Sequence, residues 1–104
     1  MIELDYLDKQ FDAQARTALE KGETVGIRVP SGSAASVKKA LPLYSDYFAL
    51  RQKGKRDRIL LAKFGWYGIR TPTLWSVIIK AKLMNRDISM HERGGELFLT
   101  ITGN

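Results

Sequence analysis

Apolar positions recur along this chain with two different periods, and the changes from one to the other mark its elements. Leu4, Leu7, Phe11, Ala15 and Ala18 follow one another at three- and four-residue steps, the spacing that lines one face of a helix. This spacing predicts an amphipathic N-terminal helix over residues 4–21, closed by Gly22 as its C-terminal cap. Residues 23–29 are rich in β-branched side chains and end at Pro30, which reads as a strand whose last position the proline holds extended. Ser31, Gly32 and Ser33 then offer capping hydroxyls to a second helix running through Ala34, Ala35, Val37 and Leu41, which Pro42 either ends or kinks. Period-2 alternation over residues 47–53 places Phe48 and Leu50 on one face and Tyr47, Ala49 and Arg51 on the other. With a turn at Gly54 and a return strand over residues 58–64, it predicts a β-hairpin.

The order then starts again. Residues 66–70 read as a short strand, and Thr71, Pro72 and Thr73 as a helix start. Leu74, Val77, Ile78 and Ala81 form the stripe of a helix reaching about Asn85, broadened by Trp75 and Ile79. Ile88 and Met90 alternate inward over residues 87–92, Gly94 and Gly95 form a two-residue turn, and Leu97, Leu99 and Ile101 alternate through residues 96–102.

Gly26-Ile27-Arg28-Val29-Pro30 and Gly68-Ile69-Arg70-Thr71-Pro72 agree at four of five positions, and each precedes a helix and a hairpin. The expected fold is therefore α+β in one domain. Residues 1–22 form the leading helix, and two β-α-β-β units follow over 23–64 and 66–102 as a tandem repeat, with helices covering an antiparallel sheet. The alternative keeps the elements but makes them a ferredoxin-like βαββαβ sandwich with an added strand. In each copy of the echo an arginine lies two residues before a proline, beside a helix start where free amide donors favour anions. Arg28 and Arg70 are either paired anion sites or plain surface cations neutralised by acids such as Asp5, Asp8 or Asp12.

Length and charge narrow the function. One hundred and four residues suffice for a single core. The absence of cysteine excludes disulfides, thiolate metal sites and thiol nucleophiles. Without an apolar run long enough for a bilayer, and with an acidic start, the chain reads as a soluble protein of the cytoplasm, of a cell or of a virus-infected cell, with no membrane partner. The net charge of +6 is unevenly placed: residues 1–36 sum to −2, residues 37–63 to +6 and residues 64–104 to +2. Such a basic segment is either a solvated loop or a phosphate-binding surface.

Catalytic groups are scarce. His91 is the one histidine and falls on the strand face opposite Ile88 and Met90, a surface position. Asp5, Asp8 and Asp12 share a face of the expected first helix, an arrangement for a carboxylate-held metal or, more simply, a solvated face. No phosphate-loop lysine motif or nucleophile elbow occurs. The reading is of no enzyme, no metal and no cofactor.

Binding is better supplied. Arg51, Lys53, Lys55, Arg56, Arg58 and Lys63 lie on the expected basic hairpin, Tyr47 leads into it, and Trp66, Tyr67 and Arg70 follow it. Cations release counterions from phosphates, and exposed rings stack on the bases of single strands. These ten residues predict a small non-enzymatic nucleic-acid-binding protein, for DNA or RNA. The competing expectation is a protein-interaction module: an adaptor, inhibitor or assembly component, possibly viral, that meets an acidic protein surface or forms a homo-oligomer through exposed strand edges.

Overall fold

The computed structural model describes residues 1–42 and 72–104. Its elements are β1 (Ile2–Asp5), α1 (Phe11–Glu20), β2 (Val25–Arg28), a 3-10 turn (Ser31–Ser33), α2 (described over residues 34–42), α3 (Pro72–Leu83), β3 (Ile88–Arg93) and β4 (Glu96–Ile101). The fold is α+β, and the described residues form three helices and a four-stranded mixed sheet in the order β1-β2-β4-β3.

The sheet departs from the antiparallel one expected. Its β2–β4 and β4–β3 pairs are antiparallel, but β1 and β2 are parallel, joined by α1 as a βαβ crossover. The extra strand comes from a segment assigned by its spacing to the first helix. Ile2 and Leu4 alternate with Glu3 and Asp5, and the period-2 pattern wins over the helical one. Two local bonds then stop a helix from starting early: the Asp5 side chain accepts the Leu7 amide at 2.9 Å, and Asp8 accepts the Gln10 amide at 2.8 Å. Asp side chains that satisfy nearby amides in this way compete with helical bonding. Helix α1 starts only at Phe11, and Leu7 is exposed. Asp5, Asp8 and Asp12 consequently do not share a helix face, since Asp5 belongs to β1 and Asp8 to the turn before α1.

Several other elements fall where their spacing predicts, although no side-chain cap bond forms at the Ser31–Ser33 turn. Gly22, at φ +77°, follows the last turn of α1, and its amide donates to the Leu19 carbonyl at 3.1 Å. Strand β2 falls within residues 23–29, and residues 34–42 are helical after the Ser-Gly-Ser turn, Pro42 being the last described residue of that segment. Helix α3 opens on Pro72, where a missing amide costs nothing, and Asn85 leaves it with φ +60°. The final hairpin pairs Arg93 with Glu96 across Gly94 (φ +60°) and Gly95 (φ +79°), the two positive values of a type I′ turn. Open space surrounds the position of a Gly95 Cβ, so the cost of a side chain there is purely conformational. Gly95→Ala should destabilise the protein by about 1 kcal/mol in urea unfolding, and an unchanged midpoint would contradict this turn geometry.

The 47–64 hairpin, the 66–70 strand and most of the second echo lie outside the described residues, and the expected tandem repeat lies with them. What is described of the echo already differs between its copies. Pro72 begins a helix directly, whereas a 3-10 turn separates Pro30 from α2.

The core lies between the helices and one face of the sheet. Val25, Ile27, Leu97, Leu99 and Ile101 from the strands meet Phe11, Ala15, Ala18 and Leu19 of α1, Val37, Ala40 and Leu41 of α2, and Leu74, Trp75, Val77, Ile78 and Ala81 of α3. Ion pairs rim it: Lys80 donates to Glu20 at 2.9 Å, and Lys38 pairs with Glu92. The Lys80 bond holds the Glu20 carboxyl below its ordinary range. No described helix is long and apolar enough to cross a membrane.

Candidate functional site

The strand pattern that sends apolar residues to the core sends a second set to the opposite face, on which no described helix packs. Across the sheet, in register, this face reads Glu3–Gly26–Thr100–Ser89 in one row and Asp5–Arg28–Phe98–His91 in the next. Arg93 and Glu96 pair beyond them at the hairpin end.

At the centre of the face stands Phe98, an aromatic ring half-buried by its neighbours and not by the core. His91, directly across on β3, lies nearly parallel to it, with ring centroids 5.8 Å apart and planes at 14°. The guanidinium of Arg93 sits over the Phe98 ring, 4.6 Å from its centroid. Cross-strand pairing fixes the imidazole against the ring, and the two-residue register step along β3 places Arg93 on the same face. The result is a group of three flat side chains on the open face, with the imidazole and the guanidinium both against the Phe98 ring.

Beside this stack, Arg28 is held between two carboxylates. It donates to Asp5 at 3.1 Å and to Glu96, the two partners lying on β1 and β4. The Glu96 bond first, and Asp5 second, raise the pKa of the Arg28 guanidinium above its usual value. The two readings of Arg28 are thereby separated: it is a neutralised surface cation, paired with one of the acids named for that role. Glu3, in contrast, makes no hydrogen bond or ion pair with any described residue. Between Glu3 and Phe98 the open face holds a concavity of about 270 Å³, with Met1, Glu3, Gly26 and Thr100 at one side and Phe98, His91 and Arg93 among its other lining residues.

All ten residues predicted to bind nucleic acid, Tyr47, Arg51, Lys53, Lys55, Arg56, Arg58, Lys63, Trp66, Tyr67 and Arg70, lie outside the described residues. The described residues carry ten basic and nine acidic side chains, so nearly all of the net charge belongs to that same segment. His91 is exposed on the open face, opposite the core-facing Ile88 and Met90, as its strand position predicts. Phe98 and Arg93 were missed by sequence reasoning, although a signal existed. In a strand with Leu97, Leu99 and Ile101 turned inward, an aromatic at 98 must face out, where its ring is available for stacking. Among the described residues no group of three His, Asp or Glu side chains is placed to hold a metal ion. Comparison with known proteins adds no relative: no family model, curated protein or solved structure matches the chain.

Proposed function

We propose that the chain is a small non-enzymatic nucleic-acid-binding protein that takes single strands on its open sheet face. The observation that carries this reading is the exposed Arg93–Phe98–His91 stack. A nucleobase extends such a stack from either side, and stacking of this kind tolerates any sequence because every base has a π-face. The stack needs its bases unpaired, which favours single strands over duplex.

Affinity in this account comes chiefly from phosphate contacts, and the source of those is the basic segment with Arg51, Lys53, Lys55, Arg56, Arg58 and Lys63. The open face is itself nearly neutral, Glu3, Asp5 and Glu96 opposing Arg28 and Arg93. Division of labour follows: the sheet face receives bases and the basic segment neutralises backbone.

Simultaneous replacement of Lys53, Lys55, Arg56 and Arg58 by Ala tests this division. The slope of log K against log salt for a single-stranded oligonucleotide should fall in magnitude by about 3, the value for four lost contacts. Circular dichroism checks that the fold is kept. An unchanged slope would show that the phosphates are held elsewhere.

A further inference from the structure

We infer that the depression at Gly26 is a slot for one nucleobase and that Glu3 makes it selective for guanine, an inference that rests on the single-strand reading above. Gly26 lies in the middle of the open face, between Glu3 on β1 and Thr100 on β4, with Phe98 one register step away. A Cβ at Gly26 would fall 3.6 Å from Met1 Sδ and 3.8 Å from Glu3 Cγ, so the walls stand at van der Waals distance from a group in that place. The concavity, about 270 Å³, falls just under the range of drug-sized ligand sites and suits a single flat ring system. Met1, an exposed and flexible thioether, forms a yielding wall.

The polar wall sets the chemistry. Of the carboxylates on this face, Asp5 and Glu96 are engaged by Arg28, while Glu3 has no described partner. An ionised carboxylate only accepts hydrogen bonds, through two oxygens side by side. Guanine answers it with two adjacent donors on its Watson–Crick edge, the N1 proton and the N2 amino group. Adenine and cytosine each set one amino donor next to a ring nitrogen that accepts, and thymine and uracil flank a single N–H with two carbonyls. Only guanine therefore meets both oxygens with donors, and only in a single strand is that edge free.

The probes are fluorescent thymidine tracts of about ten nucleotides, plain or carrying one central guanine, adenine or cytosine, titrated by anisotropy. The guanine tract should bind about tenfold more tightly than the plain tract, the worth of one good bidentate pair. Glu3→Gln should erase that preference while leaving the plain tract's affinity unchanged or slightly higher. Gly26→Val, whose side chain fills the slot at a position suited to a β-branched residue, should erase it too. Equal affinities in the wild-type protein, or a guanine preference that survives Glu3→Gln, overturn the inference. If Phe98→Ala weakens every tract alike and no guanine preference exists, the single-strand reading stands and the slot falls. If no tract binds, both fall together.

Discussion

Replacement of Arg86 by Met should lower the melting temperature by about 15 °C, the equivalent of about 3 kcal/mol in a domain of this size. Arg86 lies three residues beyond the end of α3 and is only 4% exposed. Its guanidinium donates to three backbone carbonyls: Leu19 at 2.5 Å, Glu23 at 3.1 Å and Thr102 at 3.3 Å. Leu19 belongs to the last turn of α1, where unsatisfied carbonyls and the helix dipole favour a cation. One side chain thus ties the end of α1, the entry to β2 and the exit from β4. Met keeps most of the volume but leaves those buried acceptors without their charged donor, a loss of 1.5–3 kcal/mol for a charged hydrogen bond before any relaxation. Relief of the burial cost of a cation offsets part of this, since Arg86 Nε itself has no partner among the described residues. Differential scanning calorimetry decides the matter, and a shift below about 3 °C would show that the three bonds contribute little.

Phe98→Ala should weaken single-strand binding by about 30-fold while barely moving the melting temperature. Removal of the ring leaves Arg93 and His91 without the surface that orders them, and the loss of base stacking that follows is worth about 2 kcal/mol. The ring faces away from the core, so its structural contribution is that of a cross-strand pair, under about 1 kcal/mol. The two expected effects are thus opposite in kind: Arg86 acts on stability and Phe98 on binding. A Phe98→Ala protein that binds single strands as well as the wild type would remove the open face from the account.

The contrast between these residues also shows what a sequence of this kind discloses. Helix α3, the β3–β4 hairpin and the inward set Leu97, Leu99 and Ile101 were legible because each follows one unbroken period bounded by Pro or Gly. Strand β1 was not, because Leu4 and Leu7 continue the helical spacing of Phe11 and Ala15, and only the side-chain bonds of Asp5 and Asp8 break it. The parallel β1–β2 pair was hidden for the same reason. His91 was placed on the correct face but appeared isolated, since its partner Phe98 comes from the opposing strand and register alone joins them. Arg86 carried no local signal at all: an arginine beyond a helix end resembles a surface cation until three carbonyls from distant elements converge on it. The basic segment, by contrast, is legible only as charge and aromatic content, and its part in the proposed function rests on sequence.

The most direct measurement is fluorescence anisotropy of the whole chain with labelled single-stranded DNA, single-stranded RNA and duplex DNA of equal length, at about 50 and 200 mM salt. Single-strand recognition on the open face requires binding at micromolar or lower concentration, a steep loss of affinity between the two salts, and weaker binding of duplex. Absence of binding at the lower salt, or a preference for duplex over both single strands, would contradict it, and absence would turn the search toward an acidic protein partner.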